Sequence, residues 1–313
     1  MRAIRQFLLV LSTGYILFYF SELLFWARLR PGDSLPDWLA TWLAYSLAGF
    51  AFLCLLSYFR VSDIWGLFLA GAAFGWLTEG LLVQTAYEIL PLSLSFTGLA
   101  WHALITVWVG WYAILRSLVS PNRWATLLLS ASIGAGYGLW AISWWLEPDG
   151  GIASLAEFAA FSFSATLPLL LACWLFNWSA STPFIPHRWV ILVIAALFAL
   201  YFFIVTIPAA PLSAAILPVL LALVYLGLRR QRGYADRRPL LESLPGKVPA
   251  WKYLSLLAIP ATGTLVYALA LNMGIQVHTN LVLYFITTPL GFILFGYSLY
   301  RSWRGPVAPV ETG

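Results

Sequence analysis

The chain has 313 residues, 62% of them hydrophobic and 9% charged, a composition that excludes a soluble globular domain. Its formal charge of +5 comes from 17 Lys and Arg against 12 Asp and Glu, and the basic residues lie at the edges of long apolar runs, which argues against a nucleic-acid partner. No Walker loop, HExxH, GxSxG, DxDxDG or zinc-type spacing occurs, so no cofactor and no metal is expected.

A transmembrane helix needs about 20 mostly apolar residues to cross roughly 30 Å of hydrocarbon. Ten runs meet that requirement: 7 to 27, 38 to 59, 64 to 87, 94 to 115, 124 to 146, 155 to 177, 189 to 207, 212 to 228, 251 to 273 and 281 to 300. The first holds Glu22, which sits about 9 Å inside its outer end at ~1.5 Å rise per residue. Its length, that carboxylate and the absence of a small-residue cleavage site set it apart from a cleavable signal peptide.

In the third run Gly71, Gly75 and Glu79 recur every four residues, on one helical face narrow enough for a close neighbour. The fourth run answers with Gly98, His102, Thr106 and Gly110 at the same interval, which predicts a tight antiparallel pair. Glu79 lies eight residues before Tyr87 and His102 eight after Leu94, so each is expected about 12 Å below the outer surface and within reach of the other. No Lys or Arg lies deep in any run, so Glu79 must stay protonated or find compensation from His102, water, a metal or a cationic ligand. Trp76, Trp101 and Trp140 are also deep, and either line an aromatic cavity or fill the core, whereas most other Trp read as interfacial belts.

Ser130, Gly134 and Gly138 in "SASIGAGYG" form a further small-residue face, read as helix packing. Pro168, Pro218, Pro260 and Pro289 fall within runs six, eight, nine and ten and free backbone carbonyls there. Runs seven and eight are separated only by residues 208 to 211, leaving open two spans or one re-entrant hairpin. Between runs eight and nine, the basic stretch Arg229 to Lys252 reads as a loop on anionic lipid. His278 falls in a loop-like "GIQVHTN" and reads as solvated surface, or as a third partner for Glu79 and His102. Cys54 and Cys173 read as small core residues.

With Arg2 and Arg5 in the cytoplasm, every other Lys and Arg except Arg28 and Arg30 falls on the same side. The expected fold is an all-α polytopic transmembrane helix bundle of about ten transmembrane helices, with N- and C-termini cytoplasmic and residues 1 to 313 forming a single integral-membrane domain. The compact chain points to a bacterial-type inner membrane. No five-plus-five repeat is detected.

Three functions fit. The first is a transporter or permease, proton-coupled through Glu79 with His102 modulating it, and with Glu22, Trp76 and Trp101 as further proton or substrate contacts. In size and topology the chain resembles the drug/metabolite transporter superfamily, a resemblance of architecture that assigns no family. The second is an integral-membrane enzyme acting on a lipid or isoprenoid near the outer leaflet, with Glu79 and His102 as acid and base. The stretch "TEGLLVQTAYEILPLSLSFTGLAWH" is similar, in its spacing of Glu, Tyr-Glu, Pro and Trp, to part of the membrane carotenoid hydratases. The third is a non-catalytic scaffold or assembly subunit. The expected partners are the bilayer, with anionic lipid at the basic loop, and a small-molecule or lipid substrate.

Overall fold

The structure, a computed structural model, describes residues 2–30, 32–147, 151–231 and 238–304. Among them there is helix and no strand, and ten helices are long and apolar enough to cross a membrane. These are α1 (Arg2–Trp26), α2 (Leu35–Tyr58), α3 (Ile64–Leu82), α4 (Leu94–Val119), α5 (Ala125–Trp145), α6 (Leu155–Ser179), α7 (Arg188–Ala209), α8 (Ser213–Gln231), α9 (Ala250–Met273) and α10 (Thr279–Arg304). The chain is a multi-pass integral membrane protein. Residues 232–237 of the basic stretch, Asp149 and the C-terminal residues 305–313 lie outside the described part.

The helices start and stop where local chemistry requires. Asp63 caps α3 by accepting from the Gly66 N–H at 2.9 Å, and Ser154 with Glu157 forms a reciprocal capping box on α6. Gly274, at φ +61°, ends α9 in the left-handed conformation that costs glycine nothing. The separation of α7 from α8 resolves in favour of two helices: at 22 and 19 residues each is long enough, about 33 and 29 Å, to span hydrocarbon. Along α7 the side chains of Val193, Leu197, Phe203 and Ile204 are all more than half exposed, a surface suited to acyl chains and not to water.

The chain forms two compact units. The first comprises Met1–Phe50, Ile105–Phe184 and Leu244–Thr287. In it α5 lies against α9 through the small-residue face foreseen from the sequence: a methyl group on Gly138 would fall 2.6 Å from the Gly263 carbonyl oxygen and 2.8 Å from Val266 Cβ. Polar groups join the remaining helices. Tyr15 donates to the Ala165 carbonyl at 2.8 Å, Tyr19 and Thr166 hydroxyls pair at 2.8 Å, and so do those of Tyr137 and Ser162. Tyr267 stacks flat on Phe158 with ring centres 4.2 Å apart, and accepts from Trp145 while donating to the Ala153 carbonyl.

The second unit comprises Ala51–Leu104, Ile185–Ser243 and Thr288–Gly313. Here α3 is the most enclosed element, buried from Gly66 to Trp76 without interruption. Ser95 on α4 donates to the Thr288 carbonyl of α10 at 2.5 Å, immediately before Pro289 interrupts the ladder.

Gly138→Ala is expected to cost about 2 kcal/mol through overlap with the α9 backbone. A methyl on Gly136, two residues earlier on the same helix, meets nothing within 4 Å. Gly136→Ala should therefore be neutral or stabilising, and reversible unfolding from micelles of the two variants checks the contrast.

Candidate functional site

The end of α3 is built differently from its start. From Leu77 to Leu82 the helix widens to π geometry, with the Val83 N–H reaching the Thr78 carbonyl at 3.0 Å, and at Gln84, φ +69°, it stops. The third span is thus five residues shorter than the sequence pattern predicts, ending at Leu82 and not at Tyr87. The physical reason is the supply of donors at that point. The Gln84 side-chain amide donates to the Leu81 and Leu82 carbonyls at 2.7 and 2.9 Å, Thr206 of α7 donates to Leu81 at 2.7 Å and Tyr201 to Leu82 at 3.1 Å. With its last carbonyls satisfied by side chains, the backbone has no need of another helical turn.

Ending there folds residues 83–93 back over the helix and brings Thr85 to Glu79. The Thr85 hydroxyl donates to Glu79 Oε2, while Glu79 Oε1 lies 3.4 Å from His102 Nε2. Both acid and imidazole are buried, at 8% and 2% exposure. No Lys or Arg among the described residues is paired with Glu79.

The histidine's tautomer follows from its other nitrogen. His102 Nδ1 lies 2.8 Å from the Thr97 carbonyl oxygen, which can only accept, so Nδ1 carries a hydrogen in every state. Nε2 then either presents a lone pair to a protonated Glu79 or, as imidazolium, donates to a carboxylate. One proton shared between Oε1 and Nε2 makes the contact attractive, and its loss sets a lone pair against an anion. The contact is therefore geometrically compatible with either protonation state of the pair.

The glycine faces explain how the two side chains come so close. A methyl on Gly75 would strike the Gly98 carbonyl and lie 2.7 Å from His102 Cβ, so backbones of α3 and α4 meet there as the four-residue spacing predicts. The α4 stripe does not stay on one neighbour, however. Gly98 and His102 face α3, whereas Thr106, bonded to Ser21 at 3.0 Å, and Gly110, against Phe20, belong to the first unit and face α1. From Leu94 to Ala113 α4 is π-helical, with more residues per turn than the α-helix assumed in reading the stripe.

The other candidate residues belong to the first unit or are already engaged. Glu22, in a π turn spanning Tyr19–Leu23, belongs to the first unit and accepts from Tyr45 at 2.7 Å and from Trp26 Nε1 at 3.0 Å. Trp76 donates to the Leu94 carbonyl at 3.0 Å and packs on Phe295, and Trp101 is buried. His278 is exposed and belongs to the first unit, whereas Glu79 and His102 belong to the second. Among the described residues no three His, Cys, Asp or Glu side chains converge as metal ligands. Thr85 and Tyr45 had no signal of their own in the sequence; Trp26, four residues after Glu22, did.

A cavity of about 480 Å³ opens in the first unit between α1, α2 and α6, lined by Tyr15, Phe18, Trp38, Trp42, Phe161 and Pro168 among others. None of Trp76, Trp101 and Trp140 contributes to it, and neither does any ionisable residue other than Tyr15.

No family model matches the chain, and no curated protein or solved structure proves similar to it.

Tyr87, in the loop above the pair, has a buried hydroxyl with no hydrogen-bond partner among the described residues, and burial pushes its ionisation up to about 12. Tyr87→Phe is expected to stabilise the fold by about 1 kcal/mol, because an unsatisfied buried hydroxyl is removed. Thr85→Val, which strips the carboxylate of a donor, should cost about 2 kcal/mol. Unfolding free energies of both variants test the assignment of these two hydroxyls.

Proposed function

We propose that the protein is a multi-pass transporter in which Glu79 and His102 hold an exchangeable proton that drives movement of a small-molecule substrate. The observation that supports this reading is a contact: a buried carboxylate 3.4 Å from an imidazole whose other nitrogen is held by a backbone carbonyl, with no Lys or Arg paired to that carboxylate among the described residues. Such a pair gains or loses one charge at modest cost, and each state favours a different separation of α3 from α4. Thr85 links that state to the loop 83–93. Glu22, Trp76 and Trp101 are assigned supporting contacts.

The orientation we infer has both termini and the basic stretch Arg229 to Lys252 in the cytoplasm, the latter resting on anionic lipid, in a bacterial-type inner membrane. A second reading, an enzyme acting on a lipid or isoprenoid, draws support from the 480 Å³ apolar cavity. That cavity's lining lacks a carboxylate or imidazole to act on a guest, which is why transport is preferred.

Glu79→Gln is the discriminating variant, since the amide still accepts from Thr85 and donates to an unprotonated Nε2 but cannot release a proton. In proteoliposomes carrying a pH-sensitive dye, the wild type should show proton flux on addition of fractions from a metabolite pool, and Glu79→Gln should lose it at least about tenfold while melting at the same temperature. Equal flux in the two proteins would refute the assignment.

A further inference from the structure

We propose that the cleft between the C-terminal end of α4 and the N-terminal end of α5 binds the headgroup of an anionic phospholipid. The cleft, about 370 Å³, is lined by Tyr112, Arg116, Ser117, Ser120 and Leu129 among others. Its polar and apolar parts are layered along the helices. Arg116 and the serines lie where the helices end, while Tyr112, four residues before Arg116, and Leu129, four after Ala125, continue the same faces about 6 Å deeper. That is the order of charge and hydrocarbon in a phospholipid.

The charge on the segment that forms the cleft is of one sign. Between Glu88 and Glu147 the chain has no acid, and Arg116 and Arg123 are its only fixed charges. Arg116 is exposed and has neither ion pair nor hydrogen bond among the described residues. Lys252 stands behind the wall, its Nζ donating to the Ser117 and Ser120 carbonyls at 3.2 and 2.6 Å. This occupies the negative end of the α4 dipole, and the opposite, positive end of the α5 dipole lies across the cleft at Ala125.

Contacts within the first unit extend the pattern. Arg5 reaches Ser181 beyond the end of α6, and Asn177 of α6 is bonded in both directions to Gly246 before α9. This end of the unit therefore gathers Arg2, Arg5, Arg116, Arg123, Lys247 and Lys252. The described acids of the unit, Glu22, Asp33, Asp37, Glu147 and Glu157, all lie toward the opposite ends of their helices or in the loops there. An anion finds attraction at this cleft and no competing carboxylate among the described acids of its own unit.

The test uses the full chain in non-ionic detergent with three probes: phosphatidylglycerol, phosphatidylcholine and inorganic phosphate. Native mass spectrometry should show phosphatidylglycerol retained and phosphatidylcholine lost. Arg116→Gln should weaken phosphatidylglycerol binding about tenfold, Arg116→Lys should restore most of it, and Arg301→Gln, in the second unit, should leave it unchanged. Indifference to headgroup, or an undiminished Arg116→Gln, overturns the proposal. So does inorganic phosphate displacing the lipid at equal concentration, because the site would then be one for a free anion.

Discussion

Hydrocarbon offers a buried polar group no water, so such a group in a membrane-spanning helix gains a hydrogen bond only from a partner within the protein. That constraint accounts for the joints of this bundle. Tyr15 on Ala165, Tyr19 on Thr166, Tyr137 on Ser162 and Ser95 on Thr288 each tie one helix to another through a hydroxyl. Other hydroxyls turn back onto their own helix: Thr78 donates to Phe74, Ser162 to Phe158 and Thr287 to Leu283. Close approach at Gly138 and Gly75 then supplies the dispersion contact that hydrophobicity alone does not provide between helices in lipid.

The same constraint makes widened helical turns informative. A π turn leaves carbonyls without their usual partners, and it persists only where other donors are available. At the end of α3 those donors are Gln84, Tyr201 and Thr206. Glu22, Glu79 and His102 all lie in such segments. For Glu79 the local geometry has a direct consequence: because the helix ends three residues later, the returning chain delivers Thr85 to the carboxylate. Backbone termination and side-chain chemistry are thus one arrangement.

Much of this was legible in residue order. Ten apolar runs bounded by charge foretell ten helices closely, since the thickness of hydrocarbon sets their length and polar residues mark their ends. The approach of α3 to α4 was legible too, because a four-residue glycine spacing can serve little but close contact. What the residue pattern could not convey was the register beyond a widened turn. "LLVQTAYE" reads as a continuing apolar run, yet its termination depends on hydroxyls contributed by α7, more than a hundred residues later. The α4 stripe departs from its α-helical expectation for a related cause, since a π-helix rotates its residues away from the face that an α-helical spacing assigns. Tyr45 is a third case: nothing local distinguishes it, and only the packing of α2 on α1 sets its hydroxyl on Glu22.

Two carboxylates in two widened turns invite comparison, and their partners separate them. Glu22 receives hydrogen bonds from a phenol and an indole, both neutral donors that neither take nor give a proton near neutral pH. Glu79 faces an imidazole, the one side chain whose ordinary titration falls in the physiological range, and that imidazole is oriented by a backbone carbonyl that cannot reverse its role. A proton removed from this pair turns attraction at 3.4 Å into repulsion between α3 and α4. Glu79 is placed so that protonation of either partner changes the force between α3 and α4, and it is there that we locate the proposed coupling.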